Sequence, residues 1–488
     1  MRFLLINPNV DSSIAKDSFA IKAEVPPLGL LYIAGALEEK GHEVEIIDFC
    51  VEEFKKETLK KALKNTDAVG ITTRSHGIKI IKELAQNIRQ INKKIPIILG
   101  GPYTTLEKEK SLEYVDADIS VEGDGEETIV EIAEYLNGEK KLSEISGIYY
   151  KQGNKIQKGK PAKIIMDLDK IPFPSRHLIE KYTYGIVNTG LKLTHGKVTS
   201  IMISRGCPYH CRYCINRAIT KKYRTRTAEN VIEEIKQIQG KYDFLHIVDD
   251  NFFVDKENAN KILDYLIENK TKLEVWISGI RVDAASKELF KKMKKAGVTT
   301  INMGIESGNQ EVLDYFEKQT TIQQIKNATK TAHKNGFLTI GYFIIGSPIE
   351  TKKHIEKTIK FAKKLPIDMA IFSPFGYIKG SPIWEEAYKA GKIQEHEYTA
   401  TSNSKRGLGN FTEEELWEHL IKAFRDFYLR PTYILRQIGR AIRRRDFRII
   451  KSGYRLLRSK NNMLKADINE LNQLENPSKN IYSYIGDG

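Results

Sequence analysis

The sequence predicts an α/β protein in three parts: a doubly wound parallel sheet, a partial six-fold β/α barrel and a helical C-terminal region. Three observations carry this. Short apolar runs alternate with amphipathic helical stretches from residue 2 to about residue 145. After a polar connection marked by prolines, six further apolar runs alternate with helical stretches up to about residue 375. From about residue 396 the pattern is helical only. Strand–helix alternation gives parallel sheets, because a chain returning to pair in the same direction needs a crossover, usually a helix.

The first sheet begins with "RFLLINP", followed by the helical "PLGLLYIAGALEEKG". "EVEIIDF" precedes "KKETLKKALKN", and "DAVGITT" precedes "GIKIIKELAQNIRQINKK". "IPIILGG" and "ADISVEGDGEETIVEIAEYL" complete five β-α units. Open sheets of this kind bind flat or nucleotide-like groups outside the carboxyl ends of their strands. Gly100, Gly101, Gly123 and Gly125 gather at those ends. Residues 146–163 read as a hairpin turning at Gly153–Asn154, then a polar linker, before "LDKIPFPSRHLI" fixes an extended path through its prolines. The second series runs "SIMIS", "FLHIVDD", "EVWISG", "TINMGIE", "LTIGYFIIG" and "DMAIFSPF", with helices expected over 226–238 and 321–335. Six units are too few for a closed eight-fold barrel, and functional residues belong at the carboxyl ends of such strands. The last region opens on a capping box, Thr412 to Glu415, and repeats apolar residues at 416, 417, 420, 421, 424 and 427. The expected domains are therefore 1–145, 146–195 (hairpin and linker), 196–395 and 396–488.

Composition excludes several classes. A chain of 488 residues with 41% hydrophobic and 29% charged residues is an ordinary globular protein, not a disordered one. "MRFLLINPNV" reads as a first strand rather than a signal peptide, and no apolar run approaches the ~20 residues that cross a bilayer. Four cysteines, three of them adjacent, suit a reducing compartment, so a cytoplasmic location is expected. The net charge is +15, and residues 430–460 alone hold nine arginines, two lysines and one aspartate, a local charge of +10. The basicity belongs to this tract, so no nucleic-acid surface is expected. Ile434, Ile438 and Ile442 fall on one helical face among the arginines. Such a helix suits the inner face of a membrane, where each basic residue contributes roughly 1 kcal/mol, or else caps the barrel with a solvated basic face.

The chemistry sits in "SRGCPYHCRYCINR", residues 204–217, where Cys207, Cys211 and Cys214 follow a C-x3-C-x2-C spacing. Disulfide frameworks use dispersed, even cysteines, and structural zinc takes four ligands, usually as two separated pairs. A zinc site borrowing His210 is the bland alternative. An iron–sulfur cube is normally held by four thiolates, so three leave one iron open to a substrate or cofactor.

This stretch closely resembles the signature of radical S-adenosylmethionine (radical SAM) enzymes, placed in the first loop of a partial β/α barrel. The resemblance spans roughly residues 168–395. It implies a 4Fe-4S cluster whose open iron chelates the methionyl group of SAM, and a small electron donor such as a flavodoxin or ferredoxin. One electron then breaks a carbon–sulfur bond and releases a 5′-deoxyadenosyl radical. It also implies that Asp249 and Asp250 of "VDDNFF" meet the SAM amino group, and that Glu306 and Ser307 of "GIESGN" bond ribose hydroxyls. Gly341 and Gly346 of "GYFIIGSPIET" would admit the adenine. The N-terminal Rossmann-like sheet resembles the cobalamin-binding domain fused ahead of one radical SAM branch. The matching segments are "VPPLGLLYIAGALEEKGHEVEIID", "ILGGP" and "EGDGEET", with Gly100, Gly101, Gly123 and Gly125 expected at the cobalamin. The D-x-H-x-x-G motif of other cobalamin proteins is missing, since the early loop reads "NPNVDSSIAKDS". Cobalamin is therefore expected to bind without a protein histidine lower ligand, His76 being the nearest substitute. Cys50, isolated at the end of "EVEIIDFC", cannot hold a second cluster, which weighs against methylthiotransferases. The expected function is methylation of an unactivated carbon of a small substrate, hydrophobic or lipid-like, through a SAM-derived radical and methylcobalamin. The alternatives are a ring-forming or oxidative enzyme of the same architecture and, from another class, a non-catalytic cobalamin or redox sensor.

Overall fold

The computed structural model describes residues 1–9, 25–74, 77–185, 194, 196–444, 447 and 450. The chain divides into two units, Met1–Tyr184 and Gly185–Gly488. The early loop and His76 lie outside the described residues.

In the first unit, strands β1 (Arg2–Asn7), β2 (Glu43–Asp48), β3 (Ala68–Thr72), β4 (Ile97–Gly100) and β5 (Ile119–Val121) pair in parallel, in the order β2-β1-β3-β4-β5. Helices cover both faces, so these strands read as near-continuous apolar runs. Leu4, Ile6, Val69, Ile97 and Leu99 join one core, while Phe3, Ala68, Ile98 and Ile119 join the other. The strand order reverses between β1 and β3, and the carboxyl ends beside that point form the crevice where such sheets bind ligands. The hairpin turns at Gly153 as read from the sequence, giving β6 (Ile148–Gln152) and β7 (Lys155–Lys158). Rather than standing apart, it pairs antiparallel with β5 and extends the sheet to seven strands.

The second unit holds a six-stranded parallel sheet. Its strands are β8 (Val198–Ile201), β11 (Phe244–Ile247), β12 (Glu274–Ile280), β13 (Val298–Glu306), β14 (Leu338–Ile345) and β15 (Met369–Pro374), in the order β15-β14-β13-β12-β11-β8. Among the described residues β15 and β8 do not pair, so the barrel is partial and open. Leu245, Ile247, Val275, Ile277, Ile301 and Met303 pack into the core beneath the helices. By the two-residue period their alternates, His246, Trp276, Ser278 and Asn302, lie on the opposite, inner face. Two short pairs complete the unit: β9 (Ser204–Arg205) with β10 (Arg224–Thr225), and β16 (Gly376–Ile378) with β17 (Thr399–Thr401). The β9–β10 pair clamps both ends of the excursion that carries the three cysteines.

Helix Glu413–Tyr428 begins at the expected capping box and buries Leu416, Leu420 and Phe427. Helix Pro431–Arg444 keeps the isoleucine stripe outside and does not present a wholly solvated basic face. Ile434, Leu435, Ile438 and Ile442 are exposed, while Tyr433, Gln437, Arg440 and Ala441 are buried. Asp368, at the amino end of β15, is fully buried and accepts from Gln437 and Arg440, and Arg440 also reaches the carbonyl of Phe337. A buried carboxylate left without its cation costs about 3–5 kcal/mol. That demand outweighs the apolar stripe and turns the arginine-bearing face inward. The helix thus caps the amino ends of β14 and β15, the end of the sheet opposite the cysteine loop. No described helix is long and apolar enough to cross a membrane.

Candidate active site

The cysteine loop is built by local hydrogen bonds. Gly206 adopts a left-handed conformation (φ 88°), and a Cβ there would lie 2.7 Å from the Lys222 carbonyl. The Asn216 side-chain oxygen accepts from the Cys207 amide at 3.1 Å, and the Cys214 amide closes a turn onto the Cys211 carbonyl at 3.0 Å. Burial, then the neighbouring Cys211, Asp250 and Cys207, push the Cys214 thiol up to about 11, and burial raises Cys207 as well. Thiols crowded in this way ionise only with a cation beside them, which iron supplies. Among the described residues no three His, Cys, Asp or Glu side chains converge on a point that one metal ion could fill. A cube fits this arrangement, because its thiolates bind separate corner irons rather than one centre.

The paired aspartates after β11 have different tasks. Asp249 is buried and accepts from the Ile203 amide at 2.7 Å and the Ser204 hydroxyl at 2.6 Å, so it ties the end of β11 to the start of β9. Asp250 is exposed and bonded to Asn216 and the Gly206 amide. The chain around it withdraws enough water to raise its pKa against those bonds. It is the carboxylate available beside the cysteines.

Beneath the loop lies a buried charge cluster. Glu306 Oε1 accepts from Lys318 Nζ at 2.7 Å and from the hydroxyl of Tyr213 at 3.0 Å, and Tyr213 separates Cys211 from Cys214. Burial opposes the charge on Lys318, yet the Glu306 carboxylate and the Cys211 sulfur hold its pKa above the usual value. The guanidinium of Arg281 stacks 3.6 Å from the Tyr209 ring centre and donates to the Lys318 carbonyl at 2.8 Å. Glu306 (φ 61°), Glu317 (φ 51°) and Gln319 (φ 57°) all adopt left-handed backbone conformations. Each costs about 1–3 kcal/mol in a non-glycine residue, and such strain gathers at functional sites. Among the described residues the bonds from Lys318 and Tyr213 both reach Glu306 through Oε1.

Three other expected SAM contacts have packing or hydrogen-bond partners within the chain. Ser307 bonds Thr358 at 3.1 Å, on the helical side of the sheet. A Cβ on Gly341 would meet Ile305 and Ile367 within 3.0 Å, and one on Gly346 would meet Leu416 at 2.4 Å. Packing gives a reason for glycine at both positions. Sequence reasoning missed the polar inner face: His246 stacks on Trp276 and bonds Ser278 at 2.7 Å, while Asn302 bonds Trp276, Ser278 and Tyr342. The available signal was one polar residue inside each apolar strand run. Burial lowers the His246 pKa to about 3, so this imidazole is neutral.

In the first unit, Thr73 donates to the Gly100 carbonyl through both its amide (2.7 Å) and its hydroxyl (2.9 Å), and the Gly123 amide donates to Thr105 at 3.1 Å. These bonds fix the carboxyl ends of β3, β4 and β5 together. The four glycines again divide. A Cβ on Gly101 would meet Thr73 backbone atoms at 2.8 and 3.0 Å, and one on Gly125 would meet Ile33 at 2.9 Å. Gly123 needs glycine for its φ of 84°. Gly100 has no left-handed backbone and nothing within 4 Å of its missing Cβ. Nothing among the described residues demands glycine there, and an open strand end that would admit a large flat ring fits the site. Cys50 is half-buried at the end of β2, its sulfur 3.5 Å from Asn7 Nδ2.

Two family models match: the radical SAM superfamily over residues 201–362 and the B12 binding domain over residues 19–133. An uncharacterized methyltransferase of Pyrococcus horikoshii is 34% identical over 90% of this chain and 95% of its own length. The chain belongs to the radical SAM superfamily, in the branch carrying a B12 binding domain. Its radical SAM domain contains the cysteine loop, Asp250 and the Glu306–Lys318 pair, and its B12 domain contains all four glycines. It is an enzyme whose cofactors are a 4Fe-4S cluster, SAM and cobalamin. The anaerobic magnesium-protoporphyrin IX monomethyl ester cyclase of Cereibacter sphaeroides is 25% identical over 88% of this chain and 71% of its own. The fold matches the cobalamin-dependent S-adenosylmethionine radical enzyme OxsB, solved with aqua-cobalamin bound, at a TM-score of 0.68 and 16% identity, covering 100% of this chain and 77% of that one.

Proposed function

We propose that this radical SAM enzyme methylates an unactivated carbon of a small molecule bearing hydrogen-bonding groups. The observation that carries the reading is the joint presence of a three-thiol loop beside an open carboxylate and a B12 domain with an open strand end, in a chain whose relative over nearly its whole length is a methyltransferase. When bound, the three groups supply electron transfer to SAM, hydrogen removal and a methyl carrier. The chain's residues do the rest. Cys207, Cys211 and Cys214 hold the cube and leave one iron free. Asp250 accepts from the SAM amino group, and Glu306 Oε2 accepts from a ribose hydroxyl. Ser278, Asn302 and Tyr342 orient the substrate on the inner face. Gly100 and Gly123 line the corrin site. A small carrier such as a flavodoxin or ferredoxin delivers the electron.

The polar inner face favours a hydrogen-bonding substrate over a lipid-like one. The exposed stripe at Ile434, Ile438 and Ile442 supports contact with an anionic membrane, but at the end of the sheet remote from the cysteines. Ring formation is the second reading, favoured by the cyclase relative. Feeding methyl-labelled methionine to cells with and without the protein separates the two. Methylation puts label on a carbon of one metabolite only when the protein is present. Cyclisation changes a metabolite without adding label.

A further inference from the structure

The Glu306–Lys318 pair has no task in holding iron or the methionyl group, yet it is built at a cost. Both side chains are at least nine-tenths buried and bonded at 2.7 Å, and their backbone neighbourhood holds three of the six left-handed non-glycine residues among those described. Lys318 also donates to the Tyr213 hydroxyl at 3.2 Å. One ammonium and one carboxylate therefore converge on Tyr213, one of the two residues between Cys211 and Cys214. Arg281 braces the arrangement from the other side, held by Asp283 at 3.0 Å while it donates to the Lys318 carbonyl.

Charges act strongly where water is excluded, because little dielectric screening remains. A buried cation beside a cluster favours the state with one more electron, and a buried anion disfavours it. Held together, the two offset each other. We propose that Lys318 and Glu306 are positioning residues that form a neutral charge couple under the cysteine loop, so that neither charge alone displaces the reduction potential of the cluster. This rests on the reading that the loop holds a cube. A packing device would need only matched shapes, and a methionine in place of Lys318 would serve it. A charge couple makes a stricter demand, since each partner's removal must act with its own sign.

The test is a redox titration, followed by electron paramagnetic resonance, of the anaerobically reconstituted full-length chain without SAM. Lys318→Met should move the potential to more negative values, because Glu306 is left uncompensated. Glu306→Gln should move it to more positive values, because Lys318 is left uncompensated. The double variant should return close to the starting potential. Lys318→Arg, which keeps the charge, should move it least of the single variants, and it carries the test with Glu306→Gln if Lys318→Met does not fold. Shifts of the same sign in both single variants, or no shift in a variant with full iron content, would overturn the proposal. A wild-type chain that takes up no cluster would overturn the reading beneath it, a distinguishable result.

Discussion

Gly100 and Gly101 are neighbours in "LGGP", and the structure separates their roles sharply enough to test. Gly101 sits at φ 119°, and a Cβ there would lie 2.8 Å from the Thr73 carbonyl oxygen. Strain of about 1–3 kcal/mol adds to overpacking of about 1–3 kcal/mol, so Gly101→Ala should cost about 2–6 kcal/mol. At about 2–4 °C per kcal/mol for a domain of roughly this size, its melting temperature falls by several degrees or more. Gly100 has nothing within 4 Å of its missing Cβ and an ordinary strand backbone. Gly100→Val should therefore change stability by no more than about 0.5–1 kcal/mol. It fills the open strand end, however, so cobalamin uptake should be lost. Thermal unfolding of the apo chain and corrin absorbance after gel filtration measure the two effects. A Gly100→Val chain that melts normally and binds cobalamin fully would refute the assignment of the open strand end.

Other outcomes follow from the same geometry. Replacing Cys207, Cys211 or Cys214 by Ala should abolish SAM cleavage and lower iron content, while Cys50→Ala should leave iron unchanged; iron analysis after reconstitution checks both. Burial raises Asp249 and Glu350 to about 7, so the folded chain keeps protons that the unfolded chain releases near pH 4. That contribution is fully present below about pH 4 and is lost as the pH rises through about 7. Urea unfolding at about pH 5.5 and about pH 8 should show the decline, and Asp249→Asn should flatten it. Binding of the intact chain to anionic vesicles should weaken with salt and fall with Ile438→Glu, which touches the exposed stripe and spares the Asp368 latch. Flotation that ignores both would remove the membrane contact.

The strands were legible because each is a short apolar run between helical periods, and the cysteine loop because three thiols at that spacing suit little else. What the sequence concealed depends on distant partners. Lys318 in "FEKQTT" reads as a solvated charge, and only folding brings it to Glu306 and Tyr213, the latter 105 residues away. That Ile305, Ile367 and Leu416 pack against Gly341 and Gly346 is likewise invisible before folding. Adjacent aspartates look interchangeable, but the strand alternation buries Asp249 and leaves Asp250 outside. In the tail, the buried Asp368 draws Arg440 inward, a demand that the isoleucine spacing alone does not reveal.

The central claim is that one chain joins SAM cleavage to methyl transfer through cobalamin. The most direct measurement is quantification of 5′-deoxyadenosine and S-adenosylhomocysteine made by the reconstituted holoprotein with SAM and a chemical reductant. Both products should form, and both should disappear in Cys211→Ala. 5′-Deoxyadenosine alone, with no S-adenosylhomocysteine, would contradict the methylase account, and neither product would contradict the enzyme itself.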